Sequence, residues 1–117
     1  MPQGSTTFHE SEDQLRPETR DMHRAIVSLM EELEAIDWYQ QRIDATEDAE
    51  LRAILEHNRD EEKEHAMMLL EWLRRHDEVF DRMMREHTGH EGPIVSEDET
   101  AHAAGEPGAE EGRGEPS

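Results

Sequence analysis

The chain has 117 residues, of which 31 are Asp or Glu and 12 are Lys or Arg, so its formal net charge is −19. A surface this acidic repels nucleic acids and anionic membranes, whereas it attracts cations. The chain contains no cysteine, which excludes disulfide bonds, zinc knuckles, iron–sulfur clusters and thiol catalysis.

The chain is long enough for one small domain. No apolar run approaches the length of a membrane span, and the first residues lack the basic and hydrophobic segments of a secretory signal. We therefore predict a soluble, cytoplasmic protein that binds neither nucleic acid nor membrane.

Residues 1–13 are polar and show no periodic apolar pattern, which predicts a flexible N-terminal arm. A first helix is expected from about residue 14 to residue 43, because apolar residues recur there at alternating steps of four and three. Ser11 and Gln14 have the spacing of a capping box, and Pro17 suits a first helical turn. The apolar residues of this helix are Met22, Ile26, Leu29, Leu33, Ile36 and Ile43.

A second helix is predicted from about residue 48 to residue 76, after a short break at residues 44–48. Thr46 is the expected N-cap of this helix. So short a connection makes the two helices antiparallel neighbours, an αα-hairpin. The inward seam of the second helix is predicted to contain Leu51, Leu55, Asn58, Glu62, His65, Leu69, Trp72 and His76.

A shorter third helix follows, and Gly89, Gly92 and Pro93 end it. Its apolar side contains Val79, Phe80, Met83 and Met84. Residues 14–95 therefore form the predicted all-α domain, and no segment has the pattern of a strand. Residues 96–117 are rich in Ala, Gly, Pro and Glu, so we predict a disordered acidic tail. A two-helix hairpin buries little surface by itself, and we expect self-association.

The seam of the second helix contains a carboxylate and an imidazole three residues apart, Glu62 and His65. Burial of such groups costs several kcal/mol, roughly, unless a partner satisfies them. The Glu-x-x-His spacing on an inward-facing helix is the one that ferritin-like di-iron proteins use. The alternative is that Arg59, Lys63 or a carboxylate of the first helix satisfies both groups, and the spacing alone does not decide between the two.

The first helix contains two kinds of glutamate. Glu32 falls at the edge of the apolar seam, with Tyr39 seven residues further along on the same side, so Glu32 is a candidate metal ligand. Glu31 and Glu34 fall on the far side, with Trp38 beside them. They are candidates for an exposed site that gathers cations, or they simply belong to a solvated acidic face.

A di-iron bundle draws four carboxylate positions and two histidines from four helices. This chain supplies half of that set, in Glu32, Glu62 and His65. Two copies related by a twofold axis would complete it, because a twofold interface places the same patch against itself. The sequence thus predicts a metal site shared between two chains.

Three segments, 23–39, 57–65 (His-Asn-Arg-Asp-Glu-Glu-Lys-Glu-His) and 70–75, closely resemble the encapsulated ferritins, the cargo ferroxidases of encapsulin nanocompartments. The resemblance covers roughly residues 15–95. It implies two long antiparallel helices and a short third, which dimerise into a ferritin-like four-helix bundle and assemble into a decameric ring. It also implies oxidation of Fe(II) to Fe(III) with oxygen, for iron storage inside an encapsulin shell.

By the same resemblance, Glu32, Glu62 and His65 are the catalytic residues and the ligands of two irons per dimer interface. Glu31, Glu34 and Trp38 correspond to the family's metal-uptake site, and Tyr39 lies next to the centre. The family's C-terminal encapsulation peptide has no counterpart in residues 96–117, and residues 85–90 are more polar than the family leads us to expect.

Two other functions compete with a ferroxidase. A rubrerythrin-like peroxidase would need rubredoxin cysteines, which the chain lacks. A non-catalytic assembly protein, in which the metal only staples two acidic hairpins together, has the same ligand spacing. The sequence does not separate the ferroxidase from this second alternative.

Overall fold

The computed structural model describes residues 6–95. Its elements are a 3-10 helix, Glu12–Gln14, and three α-helices: α1 (Pro17–Ala45), α2 (Ala49–His76) and α3 (Glu78–His87). No strand occurs in this part of the chain, which confirms the all-α prediction. The predicted tail, 96–117, and residues 1–5 of the predicted arm lie outside the described residues.

The chain divides into two compact units. The first extends to Leu73 and contains α1 with most of α2, whereas the second begins at Arg74 and contains the end of α2 with α3. Within residues 6–95, no helix combines the length and the apolar character that crossing a membrane requires.

The start of α1 differs from its prediction. Pro17 occupies the first turn, as expected, but the helix begins there rather than at residue 14. The Ser11 side chain makes no capping hydrogen bond, so the predicted capping box is wrong. Arg20 instead holds the preceding segment, since its guanidinium donates to the carbonyls of Glu12 and Leu15 at 3.2 and 2.7 Å.

The described part of the N-terminal arm contacts α1. The rings of Phe8 and His23 lie 4.4 Å apart between centroids, and His23 Nε2 donates to the Thr6 carbonyl at 3.0 Å. A carbonyl only accepts, so the ring proton of His23 must be on Nε2. The flexibility of residues 1–13 stays a prediction, although Thr6 and Phe8 both contact His23 of α1.

The connection between α1 and α2 is closed by side chains. Asp48 Oδ1 accepts from the Leu51 amide at 2.9 Å, and its own amide donates to Thr46 Oγ1 at 3.2 Å. Asp48 is therefore the N-cap of α2, and the prediction of Thr46 is wrong by two residues. Arg52 also donates to the Thr46 carbonyl across the turn.

A polar contact fixes the position of α2 against α1 further along the hairpin. Arg59 donates to Gln40 Oε1 at 2.8 Å and to Asp60 Oδ1 at 3.0 Å, while Gln40 donates to Asp44 Oδ1 at 3.0 Å. The Arg59 side chain is only 19% exposed, so its stem is packed while its head is hydrogen-bonded. This contact lies one helical turn before Glu62.

Few apolar residues of the hairpin are buried: Ala25, Ile43, Ala66 and Leu73. Several large ones are substantially exposed, among them Ile26, Leu33, Leu51, Ile54, Met67 and Met68. Exposed apolar side chains that form a contiguous patch are typical of interaction sites. The single hairpin therefore leaves several of its large apolar side chains exposed.

In the second unit, Asp77 caps α3 by accepting from the Phe80 amide at 2.9 Å. Asp81 binds Arg85 at 3.0 Å and Arg74 at 2.6 Å, and hydrogen bonds from these two guanidinium groups lower the pKa of Asp81. Val79 and Phe80 on the apolar side remain exposed. Ion pairs thus stabilise the third helix, and its apolar side is exposed at Val79 and Phe80 but half-buried at Met83 and Met84.

Candidate metal centre

Helices α1 and α2 bring Glu32, Glu62 and His65 together, so that one ligand atom from each lies within 4.8 Å of the others. His65 Nδ1 lies 3.4 Å from Glu32 Oε2 and 3.6 Å from Glu62 Oε1. Among residues 6–95, this is the one group of three or more His, Asp or Glu residues with such a spacing. We call it the triad.

Local structure explains why these three side chains meet. Glu62 and His65 are three residues apart on α2, a spacing that places both on one face of the helix. Glu32 belongs to α1 and reaches the same point across the antiparallel hairpin. The sequence predicted that these three residues converge, and their positions in the hairpin agree with that prediction.

The carboxylates of Glu32 and Glu62 have oxygens within 4.8 Å of each other, so their negative charges repel. The pKa of Glu62 is raised above its usual value of 4.5, first because of its hydrogen bond with Glu32, then by partial burial and by the negative charge of Glu32. His65 opposes the shift. A hydrogen bond between two carboxyl groups needs a proton on one of them. The pair therefore takes up either a proton or another positive charge.

One oxygen of the triad has no hydrogen-bond partner. Glu32 Oε2 is buried, and although His65 Nδ1 lies 3.4 Å away, their geometry is not that of a hydrogen bond. Leaving such an acceptor unsatisfied costs about 1–3 kcal/mol, and more for a charged group. A cation coordinated by this oxygen would remove the cost. Two carboxylates and one imidazole form a donor set that suits iron, among the divalent metals that accept oxygen and nitrogen ligands.

The triad is partly open to solvent. The Glu32 and Glu62 side chains are each 23% exposed, and that of His65 is 44% exposed. One hairpin therefore supplies ligands from one side only, and the other side of a bound ion would remain accessible to water, to oxygen or to a second chain.

The residues predicted to take up metal lie outside the triad. Glu31 is exposed, Glu34 is half-buried, and Trp38 is 41% exposed. Within the described residues, none of them joins a three-residue group with metal-binding spacing. Their assignment as an uptake site stays a prediction.

Tyr39, the residue predicted to lie next to the centre, is half-buried and contacts a residue that the sequence analysis missed. The Arg42 guanidinium carbon lies 5.7 Å from the centroid of the Tyr39 ring and 5.9 Å from that of Trp38. Their spacing of three and four residues along one helix was the signal that could have identified this contact.

The remaining histidines of the domain have simpler surroundings. His57 lies 3.3 Å from Glu61 on the exposed side of α2, an ion pair only when the imidazole is protonated. His90 Nε2 donates to the Arg85 carbonyl at 2.6 Å.

Known proteins are similar to this chain in sequence and in fold. A family model described as EncFtn-like matches residues 7–91. The chain belongs to the EncFtn-like family. The resemblance to encapsulated ferritins is thereby confirmed.

Two curated relatives of this EncFtn-like chain are similar over most of its length. The encapsulated ferritin-like protein of Rhodospirillum rubrum is 58% identical over 106 residues, which cover 91% of this chain and 75% of that protein. The ferritin-like protein of Thermotoga maritima is 50% identical over 95 residues, which cover 80% and 83% of the two chains.

A more distant relative and a solved structure extend the comparison. The encapsulin nanocompartment cargo protein EncC of Myxococcus xanthus is 36% identical over 77 residues, 66% of this chain and 58% of that protein. The crystal structure of protein NE0167 from Nitrosomonas europaea superposes with a TM-score of 0.73 at 57% identity, covering 76% of this chain and 98% of that one.

The raised pKa of Glu62 gives a prediction for the metal-free protein. A carboxyl group with a raised folded pKa contributes stability below its unfolded pKa, and this contribution is lost as the pH rises through the folded value. We expect the free energy of unfolding of the wild type, relative to that of Glu62→Gln, to fall as the pH rises above 4.5. Urea unfolding in the presence of a chelator measures this difference.

The control is Glu56→Gln, an exposed glutamate on the same helix. Its pH profile should follow that of the wild type. Parallel profiles for the wild type and Glu62→Gln would mean that Glu32 does not raise the pKa of Glu62.

Proposed function

We propose that this chain is a ferroxidase, an oxidoreductase that oxidises Fe(II) to Fe(III) with oxygen. Its di-iron centre would form across a twofold interface from Glu32, Glu62 and His65 of two chains, with two irons per interface. The oxidised iron would be stored inside an encapsulin shell.

The observation that carries the proposal is the triad with its unsatisfied oxygen. Two close carboxylates, a facing imidazole and a buried Glu32 Oε2 without a hydrogen bond form an arrangement that a proton satisfies only in part. A divalent cation neutralises both carboxylates at once and accepts electron pairs from oxygen and nitrogen. Family membership supports iron as that cation.

The exposed side of the triad supports a shared site. One chain offers two carboxylates and one histidine, whereas a ferritin-like centre takes twice that number. The exposed apolar residues of the seam, such as Ile26, Leu33 and Leu51, would be covered by a second copy. A twofold axis near the triad would place Glu32 and Glu62 opposite their counterparts and supply the missing half.

The residues of the triad have separate roles in the proposed reaction. Glu32 and Glu62 neutralise the bound ions and, as hard oxygen donors, favour the ferric over the ferrous state. His65 must be neutral to coordinate, so bound metal competes with its protonation. The chemistry supplied by iron is the delivery of electrons to oxygen.

The same family relationship supports a proposal for the chain's partners and location. A homologue from Myxococcus xanthus is described as an encapsulin nanocompartment cargo protein. We propose that this chain is likewise a cargo protein, a homodecamer held in the lumen of an encapsulin nanocompartment in the cytoplasm. An open ring cannot enclose a mineral, so the shell would store the iron.

A non-catalytic role remains the second candidate, and the small buried core of the hairpin favours it. Only four apolar residues are buried in the described part of the chain. A metal that joins two hairpins would therefore stabilise the fold, and this role needs no catalysis. Oxygen consumption on addition of Fe(II) separates the two functions, because a metal that acts as a staple consumes no oxygen.

Removal of any triad ligand should abolish rapid iron oxidation. Glu32→Ala, Glu62→Ala and His65→Ala each delete two ligands from a site on a twofold axis, so each single change should reduce the initial rate by at least tenfold. The double variants should lose little more, because the three residues act together. Stopped-flow absorbance of ferric iron and an oxygen electrode measure the rates.

Glu56→Ala, which changes an exposed glutamate on α2, is the matched control and should oxidise iron at the wild-type rate. A His65→Ala protein that retained this rate would refute the assignment of the triad.

Metal should control assembly. Without it, a twofold interface would gather four carboxylates in partly apolar surroundings, where like charges repel. Anaerobic Fe(II) should therefore shift the population from monomer toward dimer and ring, as should a redox-inert divalent ion with similar ligand preference. Native mass spectrometry would follow this shift. An oligomer distribution that is the same with a chelator and with Fe(II) would contradict a metal-dependent interface.

Glu31 and Glu34 should affect the supply of iron rather than its ligation. The double variant Glu31→Ala/Glu34→Ala should oxidise iron more slowly at low Fe(II) concentration, yet bind the same number of ions at the triad. Because exposed charges act through a screened field, added salt should reduce the difference between variant and wild type. Loss of iron from the triad in this variant would place these glutamates among the structural ligands instead.

A further inference from the structure

The Arg42 side chain touches two electron-rich rings at once. Its guanidinium carbon lies 5.9 Å from the centroid of Trp38 and 5.7 Å from that of Tyr39, both within the range of a cation–π interaction. In a chain with 31 acidic residues, the contacts that the structure gives this guanidinium are with aromatic faces. Arg42 belongs to the last turn of α1, where the helix dipole also favours a positive charge.

The two rings lie near the triad and within reach of solvent. Tyr39 follows Glu32 by seven residues on the same side of α1, a separation of about 10 Å along the helix axis. Trp38 is 41% exposed, so reactive species in solution reach it. Tryptophan and tyrosine are also the aromatic side chains that lose an electron most readily. A site that reduces oxygen next to them endangers both rings.

A fixed cation beside an aromatic ring opposes the loss of an electron from that ring. One-electron oxidation turns the indole of Trp38 into a radical cation, so that the favourable attraction between ring and guanidinium becomes a repulsion between two positive charges. Arginine remains protonated at every accessible pH, so its charge is permanent. We propose that Arg42 protects Trp38 and Tyr39 against one-electron oxidation. The benefit of this protection depends on the proposed ferroxidase function, but the protection itself is measurable without iron.

The test uses the full-length, metal-free protein and photochemically generated carbonate radical anion. In this step the radical anion takes one electron from the indole ring and becomes carbonate, while the ring becomes a radical cation. At Tyr39 it likewise takes one electron from the phenol ring, which then releases its hydroxyl proton to solvent and becomes a phenoxyl radical. Trp72, the second of the two tryptophans, is an internal reference in the same molecule. Peptide mass spectrometry gives the ratio of oxidised Trp38 to oxidised Trp72 and the yield of oxidised Tyr39.

Arg42→Met keeps an unbranched side chain and removes the charge. We expect the Trp38-to-Trp72 ratio to rise about threefold, the factor that corresponds to an exposed cation–π pair. Oxidised Tyr39 should rise with it. Loss of a positive charge weakens the attraction of an anionic oxidant, so electrostatic steering cannot produce the rise. Arg42→Lys should give an intermediate ratio, since it retains the charge but not the planar group.

Arg82→Met, which removes an exposed arginine from α3, should leave the ratio at the wild-type value. Quenching of tryptophan fluorescence by neutral acrylamide measures the access of solvent to the ring. The proposal is overturned if Arg42→Met leaves the oxidation ratio unchanged, or if quenching increases by the same factor as oxidation. Failure of Fe(II) oxidation by the wild type would instead count against the ferroxidase, with no bearing on this measurement.

Discussion

The contact between Glu32 and Glu62 is the constraint on which the site depends. The antiparallel hairpin brings two carboxylates against each other at a half-buried position, where their hydrogen bond, partial burial and mutual repulsion raise the pKa of Glu62. The same contact leaves Glu32 Oε2 without a hydrogen bond. An apolar pair at these two positions would pack the helices better, so the carboxylates cost stability in the isolated hairpin. A cation bound between the two carboxylates would neutralise both and offset this cost.

Contacts elsewhere in the hairpin also help to position the triad. Asp48 caps the start of α2, and Arg59 binds Gln40 of α1 across the hairpin, which favours the observed position of α2 along α1. A shift of α2 by one residue would rotate Glu62 by about 100° away from Glu32. Polar contacts outside the triad therefore help to position its side chains. Their location between the turn and Glu62 is consistent with that role.

The sequence predicted the two long helices and the convergence of the triad because both depend on periodic spacing. Glu62 and His65 share a face through local geometry alone, and the short connection allows one antiparallel arrangement. The helix starts were predicted less well. Thr46 and Asp48 are both good capping residues, and only their three-dimensional arrangement reveals that Asp48 binds the Leu51 amide. The contact of Phe8 with His23 joins residues 15 positions apart, and no periodic pattern indicates it. The contacts of Arg42 with Trp38 and Tyr39 were not predicted, because a strongly acidic sequence indicates cation binding by carboxylates rather than by aromatic rings.

The scarcity of buried side chains has a consequence for how stability should be defined for this chain. With four apolar residues buried among residues 6–95, a single copy has little to oppose the conformational entropy of unfolding. If folding gains its remaining stabilisation from contacts between copies, the unfolding midpoint depends on protein concentration by mass action. A melting temperature would then describe a solution at one concentration rather than the molecule. Newly synthesised chains, at their most dilute, would be the form most exposed to proteolysis.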